Sequence, residues 1–358
     1  MQSFSTNLLH WYDDHKRILP WRDTNNAYLI WISEIMLQQT RVDQATPYIL
    51  RFIERFPTVE KLAEAELHDV LVLWEGLGYY SRARNLHKGA QMVANEFGGI
   101  VPETYDKIKS IPGIGDYTAA AVLSIAYNKP HAVVDGNVIR VLARHAGIQG
   151  DVRGSAVKQE IQSLADKLLD KKRPGDFNQA LMELGSVQCK PRNPVCEDCP
   201  VQTDCVAYQK VMVDVIPYKS PAKKRPHHNI GVGIIHDNRG NVLIARRPES
   251  AMLGGLWEFP GGKQEKQESF PDTVARELKE ELDVDVQVGD FFMDIKHAYS
   301  HFTIHMHAYF CTIKSGSPKP KTSDEIRWLK INELPDYPFP KANRKLTEVL
   351  VQKVVASQ

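Results

Sequence analysis

A single carboxylate in a long apolar run is the first sign of chemistry in this chain. Glu34 is the only charge in Leu29-Ile30-Trp31-Ile32-Ser33-Glu34-Ile35-Met36-Leu37. Burying it costs several kcal/mol unless it is paired, protonated or facing a wet pocket. Burial also raises a carboxyl pKa, which suits a general acid. If Glu34 instead lay on the solvent stripe of a helix, its neighbours there would be Trp31, Ile30 and Met36 or Leu37, and none is polar. A second carboxylate, Asp135 in Ala132-Val133-Val134-Asp135-Gly136-Asn137, stands at the mouth of an apolar helix over 138–146. An aspartate there is commonly only a helix cap. Shortly before it, Ile111-Pro112-Gly113-Ile114-Gly115-Asp116-Tyr117-Thr118 supplies a proline-fixed turn and two glycines, so that N–H groups opening the next helix, 118–126, can cradle a phosphate. Negative charge is thus held near a phosphate-gripping hairpin. Four cysteines, Cys189, Cys196, Cys199 and Cys205, form C-x6-C-x2-C-x5-C. Such a group could hold structural zinc, although zinc sites usually come as paired C-x2-C knuckles. The fifth, Cys311, sits alone in a strand-like run and reads as a small buried hydrophobe.

The elements that must position these groups are legible along the chain. The 358 residues fit two domains or three lobes, with 42% hydrophobic and 25% charged residues, an ordinary globular composition. A net charge of +1 identifies no partner. Five cysteines in so long a chain do not make a disulfide scaffold. The N-terminus has no apolar signal segment and the longest apolar run is too short for a bilayer, so the expectation is a cytoplasmic protein without a membrane. A helix is expected from Asn26 to the polar Gln38-Gln39-Thr40, then a helix pair over 47–56 and 59–74. Gly76-Leu77-Gly78-Tyr79-Tyr80-Ser81-Arg82 follows as a tight turn exposing a tyrosine pair. Two more helices lie between 151 and 184. A Pro- and Lys-rich stretch, 218–228, reads as a linker. Beyond it the composition turns to strands: 230–236 and 241–247 read as a hairpin about Asp-Asn-Arg-Gly, strands follow over 284–313, and a helix over 341–354 closes the chain.

The Pro-Gly-x-Gly hairpin followed about twenty residues later by an aspartate resembles the helix-hairpin-helix superfamily of DNA base-excision glycosylases. Leu19-Pro20-Trp21-Arg22, Gly-Leu-Gly-Tyr-Tyr and the cysteine run extend the likeness to the MutY type of adenine DNA glycosylase, and the cysteines resemble the [4Fe-4S] loop of the endonuclease III and MutY families. Pro260-Gly261-Gly262, Glu268, Arg276-Glu277-Leu278, Glu280-Glu281 and Val284 fit a Nudix box everywhere but at Asp283, which replaces its last glycine. Glu277, Glu280 and Glu281 on adjoining helical turns could bind Mg²⁺ against a pyrophosphate.

The resemblance implies a multidomain fold: all-α helix-hairpin-helix glycosylase lobes over 1–217, with the hairpin at about 106–127 and a [4Fe-4S] loop over 189–205, then the linker and an α+β Nudix-like domain over 229–358. It implies a monomeric, monofunctional enzyme, nucleoid-associated by function. The enzyme would remove adenine opposite 8-oxoguanine or guanine in double-stranded DNA after flipping the base out of the stack. By the same resemblance Glu34 would protonate adenine N7 and Asp135 would stabilise the oxocarbenium-like sugar, with Tyr117 and Asn137 supporting them. Arg17, Trp21, Arg22, Gln39, Leu77, Tyr79 and Gln179 would form the base pocket and DNA wedge. Gly113, Gly115, Lys190 and Arg192 would hold the backbone, and Tyr299, Ser300 and His301 would read the lesion. Tyr117 occupies the place where endonuclease III carries its lyase lysine. Two other readings are a different glycosylase of the superfamily, and a Nudix-type nucleotide pyrophosphatase fused to a DNA-binding module. The Nudix-like half speaks against an endonuclease III type, and Glu34 in its apolar helix speaks against an inert N-terminal half.

Overall fold

Helical periodicity gives twelve helices among the described residues of the first 221, and a mixed α/β region follows. The structure, a computed structural model, describes residues 2–221 and 224–356. The chain forms two compact units: Met1–Glu64 with Asn85–Ala222, and Ala65–Arg84 with Lys223–Gln358. In chain order the helices are α1 (Gln2–His15), α2 (Ala27–Leu37), α3 (Val42–Arg55), α4 (Val59–Ala63), α5 (Leu67–Trp74) and α6 (Ser81–Glu96). They continue with α7 (Tyr105–Lys109), α8 (Asp116–Tyr127), α9 (Gly136–Ala146), α10 (Ser155–Leu168), α11 (Pro174–Val187) and α12 (Val206–Gln209). None of the described helices is long and apolar enough to cross a membrane.

In the first unit, α2 begins where the Asn26 side chain accepts the Leu29 N–H, and it is buried on nearly every side. That is what an all-round apolar helix must do. It packs against α3 and α8, and its Trp31 requires Gly89 of α6, where a Cβ would come within 2.9 Å of the indole. A second core joins Leu8 of α1, Val138 and Leu142 of α9, and Phe177 and Leu184 of α11. Each such side chain contributes about 1.5–3 kcal/mol on burial.

The expected helix over 59–74 is two helices, broken at residues 64–66, and the boundary between the units falls in that break. The reason is packing. Val70, Leu71 and Trp74 bury one face of α5, and a Cβ on Gly255 would touch Leu71 at 3.2 Å. Residues 65–84 therefore belong with the C-terminal unit, unlike the expected cut at 217.

That unit contains β1 (His227–Ile235), β2 (Asn241–Arg246), β3 (Trp257–Glu258), β4 (Gly261–Lys263), α13 (Phe270–Leu282), β5 (Asp285–Ala298), β6 (Thr303–Ser315), β7 (Glu325–Lys330), a 3₁₀ turn (Ile331–Asp336) and α14 (Lys341–Ala356). The strands form two sheets, ordered β4-β1-β6-β5 and β3-β2-β7. The expected β1–β2 hairpin is corrected by this topology. A single bridge, His236 to Val242, joins the two strands before they part into different sheets, because β1 runs parallel to β6 while β2 pairs with β7. His227 and His228 already belong to β1, so the expected linker, 218–228, runs two residues too far; Ala222 and Lys223 lie outside the described residues. Asp283, in the place of a glycine, adopts the left-handed turn itself (φ 61°) and ends α13 with its N–H on the Lys279 carbonyl.

Candidate active site

The apolar face that buries α2 carries Glu34 in with it. The residue is 7% exposed. The Tyr117 hydroxyl, one residue into α8, donates to Glu34 Oε2 at 2.5 Å. Burial raises the Glu34 carboxyl to about 7; the Asp135 charge adds to this, while the Tyr117 bond and Arg22 oppose it. Because Oε2 accepts from Tyr117, a proton on Glu34 sits on Oε1.

Asp135 is the N-cap of α9. Its Oδ1 accepts the N–H groups of Asn137 (2.8 Å) and Val138 (2.7 Å), and its Oδ2 accepts Asn137 Nδ2 at 2.9 Å. Burial pushes its pKa up, against those three bonds and the Arg140 charge, all of which favour the carboxylate. The cap reading of Asp135 is thus met. Asn137 is fixed in turn by Arg140 Nη2 on its Oδ1 at 2.8 Å. Gly185 of α11 lets this corner close, since a Cβ there would lie 2.5 Å from that of Asn137.

Both carboxylates line one cavity of about 520 Å³, which also receives Trp21, Tyr117, Asn137 and Gln179. Arg17 and Arg22 line it too, and both are bound to Glu183 of α11, whose side chain is 1% exposed. Sequence reasoning missed Glu183. Its signal was present: it is the lone charge in Ala180-Leu181-Met182-Glu183-Leu184-Gly185, the same cue that marked Glu34.

The hairpin turn is exposed at Gly113 and Gly115. Gly113 has φ 84°, and a Cβ on it would meet Asn85 at 2.7 Å, so glycine is required there on two counts. Gly115 caps α8 with no side-chain bond, which leaves the first N–H groups of the helix without a side-chain partner. Lys190, exposed, borders the 520 Å³ cavity, and Arg192 is exposed two residues on.

Cys189, Cys196, Cys199 and Cys205 line one small cavity of about 30 Å³ with Val141, Arg144 and other side chains. Burial pushes the Cys199 thiol up to about 12 and raises Cys196 and Cys205. Arg144 Nη1 donates to Cys189 Sγ at 3.3 Å, and Arg140 Nε to the Cys189 carbonyl at 2.6 Å, which ties this loop to the Asn137 corner. Among the described residues, no three His, Cys, Asp or Glu side chains converge on a position for one metal ion.

In the second unit, Tyr299, Ser300 and His301 form the turn between β5 and β6. Tyr299 stacks on Phe302, with ring centroids 4.9 Å apart, and its N–H bonds the Phe302 carbonyl. A cavity of about 440 Å³ is lined by this turn, by Tyr79 and by Lys341. The tyrosine pair is not exposed as expected. Only Tyr79 is, bonding Ser300 through its hydroxyl, whereas Tyr80 is buried with its hydroxyl on the Phe339 carbonyl. Leu77, expected at a DNA wedge, is buried as well. On α13, Arg276 binds Glu268, Glu277 and Glu280, and the Gly261 N–H binds Glu281.

Residues 32–167 match the HhH-GPD superfamily base excision DNA repair protein family, and residues 231–349 match the NUDIX domain family. The chain is 35% identical, over 97% of its length, to the adenine DNA glycosylase of Rattus norvegicus, of which it covers 78%. It is 31% identical, over 96% of its length, to the adenine DNA glycosylase of Buchnera aphidicola subsp. Acyrthosiphon pisum, of which it covers 97%. The chain belongs to the adenine DNA glycosylase family. Among solved structures, a thermostable thymine-DNA glycosylase superposes with TM-score 0.53 at 30% identity, over 58% of this chain and 95% of that one.

Seen as a DNA glycosylase, the chain gathers Glu34, Tyr117, Asp135, Asn137, Arg17, Trp21, Arg22 and Gln179 at one cavity. Gln39, just past α2, is exposed and has φ 58°. The hairpin glycines belong to the first unit, and the turn of Tyr299, Ser300 and His301 to the second.

Proposed function

We propose that the protein hydrolyses the N-glycosidic bond of adenine opposite 8-oxoguanine or guanine in duplex DNA, as a monomer and without cutting the backbone. The observation that carries this reading is a buried, protonatable Glu34 sharing a cavity with a hydrogen-bonded Asp135. Extruded from the stack, adenine enters that cavity, and Glu34 delivers its Oε1 proton to N7 so that the base departs neutral. Asp135, ionised and held by the α9 N–H groups, stabilises positive charge on the sugar while water adds. Environment separates the roles of the two acids. The hairpin N–H groups, Lys190 and Arg192 take backbone phosphates. Tyr299, Ser300 and His301, with Tyr79, meet the base opposite.

The cysteine loop suits a [4Fe-4S] cluster held by Cys189, Cys196, Cys199 and Cys205. All four line one cavity, and their compact spacing differs from the paired C-x2-C knuckles usual for zinc. Bound there, it would supply a covalent cross-link of the loop that keeps the thiols ionised. Incubating the protein with duplexes containing adenine opposite 8-oxoguanine, followed by alkali, should cut the strand at the adenine. Intact strands from a folded, metal-loaded preparation would refute the assignment.

A further inference from the structure

Glu183 and its two arginines are the part of the cavity that the chemistry above does not use. The carboxylate accepts Arg17 Nε on Oε1, and both Arg17 Nη2 (2.9 Å) and Arg22 Nη2 on Oε2. Arg22 Nη1 also holds the Arg17 carbonyl at 2.9 Å, and Arg17 Nη2 reaches Ser186 at 3.3 Å. Two guanidinium groups and one carboxylate leave a net charge of +1 beside Glu34.

The other charged groups facing Glu34 are accounted for. Asp135 caps α9, its carboxylate accepting the Asn137 and Val138 N–H groups, and Arg140 behind it is occupied by Asn137, Gly185 and the Cys189 carbonyl. Arg41, Asp43 and Lys190 stand exposed at the mouth, where water screens them. Arg17 and Arg22 are therefore the cavity's remaining cations, with side chains 35% and 9% exposed, and Arg22 acts on Glu34 through its charge. A buried guanidinium deprived of its carboxylate is costly and seeks another. In this cavity the others are Glu34, Asp135 and, exposed at the mouth, Asp43; Glu34 is the most buried of the three, and a salt bridge to it would strip the acid of its proton.

We infer that Glu183 is a positioning residue: by occupying both guanidinium groups it holds Arg17 and Arg22 away from Glu34, so that Glu34 keeps the proton it must deliver. This rests on Glu34 being the donor, so Glu34→Gln is measured alongside. The experiment is single-turnover adenine excision by the full chain, from pH 5.5 to 9, opposite 8-oxoguanine. Glu183→Gln should move the alkaline limb of the rate profile down by about one pH unit or more. A loss of about tenfold at neutral pH should then largely vanish at the acid end. Adding Arg22→Gln to Glu183→Gln should move the limb back up, since the freed cation is gone. An equal fractional loss at every pH would mean that Glu183 only supports the fold and would overturn the inference, as would wild-type rates throughout. Should Glu183→Gln not fold, Glu183→Asp, too short to hold both arginines, is read by the same limb. A fully active Glu34→Gln would overturn the proton-donor assignment itself, which separates that failure from this one.

Discussion

The Tyr117 hydroxyl donates a 2.5 Å hydrogen bond to Glu34 Oε2 across 83 residues of sequence. It stabilises the carboxylate form against the burial that raises the group, and it holds Oε2 in place. Tyr117→Phe should therefore have two effects: a slower maximal rate, because the acid loses its aim, and an alkaline limb moved to higher pH, because a bond favouring ionisation is gone. A limb that stays in place would show that the hydroxyl does not act on Glu34.

Glu34→Gln should fold and bind mismatched duplex, yet lose at least about 100-fold in excision, the usual contribution of a placed proton donor. Stability supplies a second readout. The Glu34 carboxyl titrates near 7 in the folded protein against an ordinary value of 4.5. The folded state thus binds the extra proton between those values, and stability drains as pH rises through 7. The glutamine variant lacks this loss. Its advantage in Tm over wild type should grow from pH 4.5 to 7 and then level off, reflecting roughly 3 kcal/mol. An advantage independent of pH would place the titration elsewhere.

Backbone cleavage should be absent. A lyase needs an amine to form a Schiff base; the second residue of α8 is Tyr117, and Lys109 is paired to Asp116 at 2.5 Å. Borohydride should trap little protein on DNA during turnover, and trapping in proportion to excision would contradict this.

Ser300→Ala with His301→Ala should weaken binding to adenine opposite 8-oxoguanine by about 1–3 kcal/mol more than to adenine opposite guanine, since a hydroxyl and an imidazole can each meet the altered edge. Equal losses on the two duplexes would assign the turn to phosphate or to the fold.

The Nudix-like carboxylates should not release pyrophosphate from oxidised dGTP in Mg²⁺. Arg276 engages Glu268, Glu277 and Glu280, and Gly261 engages Glu281. Sustained Mg²⁺-dependent release by the purified protein, lost in Glu280→Gln, would reverse this expectation.

Much of the site was written locally. Helix α2 with its lone acid, Asp135 at the start of α9, the glycine turn before α8 and the spacing of the cysteines follow from periodicity, capping and turn chemistry, which act over a few residues. Tertiary structure alone decided which of these meet. Nothing near Glu183 in sequence says that it binds Arg17 and Arg22, 166 and 161 residues away. Nothing in two adjacent tyrosines says that Tyr80 is buried while Tyr79 reaches Ser300, 221 residues on. A helical pattern over 59–74 likewise cannot show that its second half leaves for another core, and alternation in β1 and β2 cannot name the sheets they join. Local preferences fix an element and the face it must bury. The partner that covers that face is set by the packing of the whole chain, where long loops are closed only if the buried area and paired charges outweigh their entropy.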